Sequence, residues 1–308
     1  MTLLIHSGTE IRQGNNQTIA LIWFSFREAF LMSCYICVNC GVQYPPASLP
    51  TLHCLICEDE RHYVDKKGQE WTTREEMLGK YENKIKCEED GLFSIITEPR
   101  FGIGQRAFLV QTSHGNILWD CVSFLDQNTI DSINRRGGIT AIAISHPHFF
   151  TTVVDWSHSF GNVPIYLHKD LETWMVRLDK CIQFWDGSTK DLFDGKLKLI
   201  HTGGHFDGSQ VLYWPEGASH RGVLLSGDEP QVCMDSKQVT FMHSFLNYIP
   251  LNERKVRRIM EHLQLINYDR LYDAFIIYGT DGVIRENAQQ IVQKSAERYL
   301  KAISNDFT

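Results

Sequence analysis

The stretch Ile139-Thr-Ala-Ile-Ala-Ile-Ser-His146-Pro-His148-Phe-Phe-Thr151 decides the fold of this 308-residue chain. Its first six residues are mostly apolar, which is typical of a strand that is covered on both faces of its sheet. His146 and His148 follow this run and are two positions apart. Because ligand sites of open α/β sheets lie where the strands end, we expect both imidazoles to point at one metal ion from a strand-to-helix turn.

Two later segments repeat this arrangement of a polar side chain beside a strand. His205 is flanked by glycines in Gly203-Gly-His-Phe-Asp-Gly208, and Asp228 comes directly after the apolar run that contains Leu224 and Leu225. Three neutral imidazoles and one carboxylate suit Zn²⁺ in a site that keeps a position open for water. The predicted ligands are His146, His148, His205 and Asp228.

Strands and helices alternate from about residue 90 to residue 308, which predicts an α/β domain. The predicted strands are 106–111, 116–120, 139–144, 164–167, 197–200, 210–214 and 222–225, and the predicted helices are 130–136, 151–160, 171–178, 253–262 and 287–300. The first two strands are separated by a Ser-His-Gly turn, which indicates a hairpin.

A cysteine-rich module precedes this domain. Cys37-Val-Asn-Cys40-Gly41 is followed, 13 residues later, by Cys54-Leu-Ile-Cys57. Two such pairs supply four thiolates for a tetrahedral structural zinc, as in a zinc ribbon or a rubredoxin-like knuckle. Gly41 favours this ligand set, because a glycine lets the backbone curl around the metal. Other side chains nearby are competing ligands, namely Cys34, His53 and His62.

A closed four-cysteine site holds a small module folded and performs no chemistry itself. We therefore predict four segments: a poorly ordered extension over 1–31, a zinc-ribbon module over 32–68, a helical connector over 69–89 and an α/β domain over 90–308. The connector is predicted from the capping box Thr73-Arg-Glu-Glu76, with a helix that runs to about Lys86.

Composition narrows the classes of function. Hydrophobic residues make up 43% and charged residues 22% of a chain with a net charge of −7. No basic cluster suggests nucleic-acid binding, and the apolar run Thr18–Phe26 is too short to span a membrane. The nine cysteines favour metal binding in a reducing, cytoplasmic compartment over a disulfide framework. The expected partner is a small-molecule substrate, and the sequence names no protein partner.

Residues 90–308 resemble the metallo-β-lactamase fold, a superfamily of hydrolases that includes glyoxalase-type thioesterases. The hairpin ending in Asn116–Asp120, the strand before His146, the glycine-flanked His205 and Asp228 occur in that family's order. With the cysteines in front, the chain resembles a group of ribbon-bearing metallo-hydrolase-like proteins. The resemblance implies an αββα sandwich preceded by a four-cysteine zinc ribbon.

The sequence also departs from the family's pattern. The family motif is His-x-His-x-Asp-His, but here Phe150 and Thr151 occupy the positions of its aspartate and third histidine. The family also uses a late histidine, whereas no histidine follows His262, and 278–281 reads Tyr-Gly-Thr-Asp. The resemblance therefore implies a site for one metal. Asp228, normally a bridging ligand, is then the carboxylate left to orient the attacking water.

Two functions from different classes follow. The first is a hydrolase in which one Zn²⁺ activates water for attack on a small ester, thioester, lactone or amide. The second is a catalytically degenerate protein of the same fold that binds a metal, a ligand or a partner. Iron is an alternative metal for the histidine site, since imidazole and carboxylate ligands suit it as well. We interpret Asp155, Asp207 and His158 as ordinary surface or helix-face residues.

Overall fold

Two β-sheets lie face to face, and helices cover the outer side of each. The computed structural model describes residues 32–276 and 279–304, so the predicted extension over 1–31 and Tyr278 lie outside the described residues. The strands are β1 Ser33–Cys37, β2 Gln43–Ala47, β3 Trp71–Thr72, β4 Glu82–Glu89, β5 Leu92–Glu98, β6 Ala107–Thr112, β7 Gly115–Trp119, β8 Ala141–Ala143, β9 Ile165–His168, β10 Ile182–Trp185, β11 Thr189–Leu192, β12 Leu197–His201, β13 Gln210–Trp214, β14 Val223–Gly227, β15 Gln231–Val232, β16 Val239–Thr240, β17 Met242–Ser244, β18 Ile249–Pro250, β19 Arg270–Asp273 and β20 Val283–Ile284.

The helices are fewer and mostly short. They are α1 Arg74–Met77, α2 Gln127–Asn134, α3 Val153–Ser159, the distorted turn α4 Gly217–His220, α5 Glu253–Leu263 and α6 Ala288–Ile303, with 3₁₀ helices at Pro147–Phe149 and Lys169–Trp174. Within the described residues, no helix has the length and apolar character that crossing a bilayer requires.

The first sheet has seven strands in the order β10-β9-β8-β7-β6-β5-β4, and the second has six in the order β11-β12-β13-β14-β19-β20. Strands β7 to β10 pair in parallel, and β4 to β7 pair antiparallel. In the second sheet only β14 and β19 are parallel. Strands β8 and β14 both end at the edge where the candidate ligands lie.

Alternation along the strands builds a core on each face of the sheets. In β6, Phe108 and Val110 belong to the apolar cluster between the sheets, whereas Leu109 belongs to the cluster under the outer helices. In β14, Leu225 faces the inner cluster and Leu224 the cluster beneath α5 and α6. This period-two pattern buries both faces of both sheets. The predicted αββα architecture is confirmed.

The cysteine module is a small three-stranded sheet of order β2-β1-β3. The four sulfurs of Cys37, Cys40, Cys54 and Cys57 lie within 4.8 Å of one another and are buried. None of the nine cysteines forms a disulfide. Gln69 and Asn39 donate side-chain hydrogen bonds to the sulfurs of Cys37 and Cys57. The predicted four-cysteine ribbon is confirmed, and this group can hold a metal.

The competing cysteine-site ligands lie outside this cluster. Cys34 is not part of the four-sulfur group, and the imidazole of His53 pairs with Glu58 at the surface, at an Nδ1–Oε1 distance of 2.6 Å. His62 reaches the histidine centre instead, as described below.

The helical connector predicted over 69–89 is wrong beyond its first turn. The capping box of Thr73 and Glu76 is present, but α1 ends at Met77, and Gly79 adopts a positive φ of 75°. Residues Glu82–Glu89 instead form β4, the edge strand of the first sheet. Its charged side chains, which suggested an exposed helix, are the kind that protects a sheet edge from pairing with other chains.

Two other predictions need correction. The helix predicted over 171–178 is a 3₁₀ helix, Lys169–Trp174, and the strand predicted over 139–144 is shortened to Ala141–Ala143. Several strands were not predicted, among them β5, β10, β11, β19 and β20. Most of these are short, and their side chains carry mixed polar and apolar character.

The docking of the cysteine module depends on Gly41. It has a φ of +84°, and a Cβ there would lie 2.1 Å from Ser123 Oγ. We expect Gly41→Ala to destabilise the protein by about 3 kcal/mol, from the strained φ and the clash together. Gly68→Ala is the control, because Gly68 has a φ of +99° with open space around it, and should cost about 1 kcal/mol. Urea unfolding monitored by circular dichroism measures the free energy of unfolding of both variants. Equal losses of stability would contradict the importance of the close approach between Gly41 and Ser123.

Candidate metal centre

Four polar side chains from three loops meet at one edge of the sandwich. Each offers a ligand atom, and these atoms lie within 4.8 Å of one another. The residues are the four predicted from the sequence, His146, His148, His205 and Asp228. All four are at most 9% exposed. The structure therefore brings the predicted set together.

Local backbone geometry positions the two histidines that follow β8. His146 caps the 3₁₀ helix Pro147–Phe149 in an extended conformation, and Pro147 is the first helical residue. Proline suits this position, because its fixed φ matches a helix start and its missing N–H would have no partner there. The tight turn brings the rings of His146 and His148 to a centroid distance of 5.1 Å.

Two glycines allow the other ligand loops to approach. A Cβ at Gly204, just before His205, would lie 2.2 Å from Glu229 Oε2. A Cβ at Gly227, just before Asp228, would lie 2.6 Å from Ser145 Oγ. Both glycines also have positive φ angles. Side chains at these positions would separate the loops that carry the ligands.

The nitrogens of the three histidines fit a metal. His146 Nε2, His148 Nε2 and both ring nitrogens of His205 are buried and accept or donate no hydrogen bond among the described residues. Buried polar atoms without a partner are costly, and native proteins rarely contain several together. His146 Nε2 lies 3.3 Å from Asp228 Oδ2. Three imidazoles and one carboxylate thus form a group that can hold a divalent metal.

Electrostatics keep His148 and Asp228 in the states that a metal requires, whereas at His205 the effect of burial is outweighed by Asp228 and Glu229, which raise its pKa. Burial, assisted by the neighbouring imidazoles of His146 and His205, holds the pKa of His148 well below its ordinary value, so its ring is neutral at pH 7. Burial alone would raise the pKa of Asp228, but His146 and His205 outweigh it and lower that pKa. A neutral imidazole and an ionised carboxylate are the binding forms of these ligands.

A hydrogen-bond chain behind the centre fixes the orientation of His146. Asp120 Oδ1 accepts from Ser145 N at 2.7 Å and from Ser145 Oγ at 2.8 Å. Because the Ser145 hydroxyl proton goes to Asp120, His146 Nδ1 donates to Ser145 Oγ at 2.9 Å. His146 Nε2 then keeps its lone pair for a metal, as ligating histidines with an oriented second nitrogen do. Burial raises the pKa of Asp120 to about 8.

Glu229 has a similar role toward His205. Its Oε2 accepts from the backbone N–H of His205 at 2.7 Å and lies 3.4 Å from His205 Nδ1. Burial raises the pKa of Glu229, although His205 opposes this. Asp120 and Glu229 are not among the residues predicted from the sequence. The available signals were the position of Asp120 at a strand end and of Glu229 beside a predicted ligand.

The centre opens into a cleft of about 550 Å³. Its polar lining includes His148, His205 and Asp228, together with Arg61 and His62 of the cysteine module. Its apolar lining consists of Ile103, Phe245, Leu246, Phe275 and Ile276. The ring of His62 lies 5.6 Å from that of His148, so this candidate cysteine-site ligand belongs to the cleft.

The two residues at the positions of the family's second-metal ligands do not line the cleft. Phe150 is buried in the apolar cluster under the first sheet. Thr151 is also buried and has a φ of +41°. Neither offers a ligand to the group formed by the four predicted residues.

The remaining acidic and histidine candidates have partners elsewhere. Asp155 pairs with Arg177, Asp207 with Lys255 and His158 with Asp179. His168 and His201 stack on each other at 3.5 Å near Asp170, and their Nε2 atoms face the carbonyls of Gly187 and Asp207. His243 lies at the cleft rim and pairs with Glu60.

A protein relative matches most of the chain. The uncharacterized protein YmaE of Bacillus subtilis (strain 168) is 47% identical over 278 residues, which cover 90% of this chain and 99% of YmaE. No protein-family model matches the chain.

Solved structures share the fold at low sequence identity. The DIM-1 metallo-β-lactamase has a TM-score of 0.52 at 14% sequence identity. The matched region covers 70% of this chain and 98% of the DIM-1 chain. VMB-1 has a TM-score of 0.53 at 14% sequence identity, and the matched region covers 72% of this chain and 98% of the VMB-1 chain. The metal-soaked Flv1 flavodiiron core of Synechocystis sp. PCC6803 has a TM-score of 0.51 at 12% sequence identity. The matched region covers 72% of this chain and 61% of the Flv1 chain. The predicted metallo-β-lactamase fold is confirmed.

Among the described residues, four groups of side chains could hold a metal, and two of these groups have four members. We expect two metal ions per chain, one at the four cysteines and one at the group of His146, His148, His205 and Asp228. Elemental analysis of the purified protein should find both. His146→Ala/His148→Ala should retain only the ion at the cysteines, and Cys37→Ser/Cys40→Ser should lose that ion.

His114→Ala is the matched histidine control, because His114 lies at the surface beside Asp194, outside the cleft and outside every candidate metal group of the described residues, and it should keep both ions. A wild-type protein with one ion, lost only in the cysteine variant, would contradict a metal at the histidines.

Proposed function

The chain belongs to the family of the uncharacterized Bacillus subtilis protein YmaE, and from its metallo-β-lactamase fold we propose that it is a hydrolase with one catalytic metal. One observation carries the proposal. Three buried imidazoles and one carboxylate lie together, the ligand nitrogens of the imidazoles have no partner among the described residues, and His148, His205 and Asp228 line an open cleft. This arrangement leaves room for a substrate beside the metal.

We propose zinc for both metal groups. Four thiolates favour structural zinc, and three imidazoles with one carboxylate suit a zinc site with an open position. Iron remains the alternative at the histidines, because the same ligands suit it. When bound there, such a metal lowers the pKa of a water molecule toward neutrality and polarises a substrate carbonyl.

Asp228 is proposed to orient the attacking water and to accept its proton. Its Oδ2 is 3.3 Å from His146 Nε2, whereas its Oδ1 is 3.7 Å from His205 Nδ1. We assign the proton to Oδ1, because Oδ2 lies nearer to a ligand nitrogen. Asp228 is the one carboxylate of the four-residue group, and burial of the centre strengthens its interaction with a developing charge.

The apolar lining of the cleft favours an apolar acyl group, and the two arginines of the lining are Arg61 and Arg100. The guanidinium of Arg61, a cation at the cleft, already donates to Asp59 and to the carbonyl of His205. The apolar lining of the cleft, here called its apolar wall, contains the rings of Phe245 and Phe275 and the side chain of Ile103. We therefore propose that the substrate is a small ester, thioester, lactone or amide whose acyl part packs on this wall.

The alternative of a catalytically degenerate binding protein is supported by Phe150 and Thr151 at the positions of the second-metal ligands. The cleft favours hydrolysis over this alternative. Phe150 is buried in the apolar core and does not line the cleft, so it does not block access to His148, His205 and Asp228. Hydrolysis assays of the metal-loaded protein decide between the two functions.

Asp228→Asn should lower kcat by about 10²- to 10⁴-fold, because an amide cannot accept the proton of water. A screen of p-nitrophenyl esters and acyl thioesters with the zinc-loaded protein measures this. Asp207→Asn is the control, since Asp207 is an exposed carboxylate near the centre that pairs with Lys255, and its activity should stay within twofold of wild type. Metal content must be measured for both variants. Equal activity of Asp228→Asn at full metal loading would contradict the assigned base.

The apolar wall predicts a dependence on acyl length. Across p-nitrophenyl acetate, propionate and butyrate, kcat/KM should rise by about fourfold per methylene, since each buried methylene contributes about 0.8 kcal/mol. Phe275→Ala should flatten this series by removing part of the wall. A series that is flat or falling in the wild-type protein would contradict the proposed packing.

A further inference from the structure

Residues 58–62, here called the anchor segment, connect the cysteine site to the histidine centre. The segment begins directly after Cys57, and the N–H of Glu58 donates to the carbonyl of Cys54 at 3.0 Å. The N–H of His62 donates to the carbonyl of Asp59 at 2.9 Å, which closes a tight turn. The path of the anchor segment is therefore set at its start by the two cysteines.

Arg61 extends from this turn onto the loop that carries His205. Its guanidinium donates to both carboxylate oxygens of Asp59, and its Nη1 donates to the carbonyl oxygen of His205 at 2.7 Å. The same guanidinium lies 3.9 Å from the ring centroid of Phe206 and 4.9 Å from that of Trp174. The side chain of Arg61 is 13% exposed. A buried, charge-assisted fork of this kind fixes the groups that it joins.

The hairpin β17–β18 holds the anchor segment from its other side. Ser244 Oγ donates to the carbonyl of Arg61 at 3.1 Å. Asn247 Nδ2 donates to the carbonyls of Glu60 and His62 at 2.8 and 3.1 Å. The backbone of the anchor segment is thus fixed between two parts of the α/β domain.

The first cysteine pair contacts the other histidine loop. Gly41, directly after Cys40, accepts a hydrogen bond at its carbonyl from Ser123 Oγ at 3.1 Å. The N–H of Gln43 donates to the carbonyl of Thr151 at 3.0 Å, three residues after His148. Each cysteine pair therefore leads directly into a contact with a loop that carries candidate metal ligands.

We propose that the cysteine module and the histidine centre bind their metals cooperatively, with Arg61 as the positioning residue that holds His205 in its ligating place. This inference rests on the metal proposed at the histidines and goes beyond the hydrolase function. A metal at the four cysteines orders the anchor segment, and Arg61 then fixes the His205 loop. Because coupling between binding sites is reciprocal, each metal raises the affinity for the other by the same factor.

The test measures metal affinity and not hydrolysis. Metal-free protein receives one equivalent of Zn²⁺ to fill the cysteine site, and Co²⁺ is then titrated while its visible d–d absorption is followed. A near-ultraviolet thiolate-to-cobalt charge-transfer band reports any Co²⁺ at the cysteines, so the two sites are read separately.

Arg61→Met keeps all four cysteines but removes the hydrogen bond to His205. It should weaken Co²⁺ binding at the histidine centre by about 10- to 100-fold, as loss of groups that orient metal ligands does. Arg61→Lys should fall between Arg61→Met and wild type, because one ammonium cannot reproduce the fork to Asp59 and His205. Arg270→Met is the matched control: its guanidinium pairs with Glu89 at 3.0 Å, is 21% exposed and lies outside the cleft.

The proposal is supported when Arg61→Met loses affinity at the histidines while Arg270→Met stays within twofold of wild type, with thermal melting of both variants comparable. It is overturned when Arg61→Met binds Co²⁺ within threefold of wild type, or when Arg270→Met weakens binding equally.

The cysteine site provides the second arm of the test. In this arm both proteins are titrated with Co²⁺ alone, so that no Zn²⁺ occupies the histidines. Cys57→Ser should then bind Co²⁺ at the histidines more weakly than wild type by a similar factor, and unchanged affinity there would overturn the cooperativity. A wild-type protein that takes up metal only at the cysteines would overturn the hydrolase centre and this inference together, whereas equal binding by wild type and Arg61→Met overturns the inference alone.

Discussion

The burial of three imidazoles and a carboxylate at one sheet edge is the constraint on which the centre depends. Their unpartnered nitrogens are costly in a metal-free interior, so the surrounding loops must hold them together against that cost. The loops can do so because β8 and β14 end side by side across the sandwich, and because Gly204 and Gly227 let the backbones approach closely. The sheets therefore fix the positions of the loops, and the loops carry the side chains that can bind a metal.

Two of the three histidines of the centre, His146 and His205, are held by neighbouring polar groups. Ser145, itself held by Asp120, orients His146, and Glu229 holds the backbone of His205. Arg61 holds the same loop from the cysteine module. The carboxylates in this layer are fully buried, and their raised pKa values reflect how little water reaches them. The centre is thus surrounded by residues whose effect is to fix the direction of a lone pair.

The ligands and the cysteine pairs could be predicted because local sequence encodes them: a buried strand followed by His146 and His148, a glycine-flanked His205 and a doubled C-x-x-C spacing. The contact of Arg61 with His205 spans 144 positions and has no local signal. Strand β4 was missed for a different reason. Its charged residues match a surface helix, and only its pairing with β5 makes it a strand, so tertiary contacts override propensity there.

The cysteine module packs near the two residues that occupy the positions of the family's second-metal ligands. Where the family motif places two further ligands, Phe150 packs in the same apolar cluster as Ile56 of the module, and the carbonyl of Thr151 accepts a hydrogen bond from Gln43. An aspartate at position 150 would be a buried charge in that apolar cluster, which is unfavourable without a metal to pair with it. The docking of the module therefore stabilises the loop after His148 by packing and by backbone hydrogen bonding.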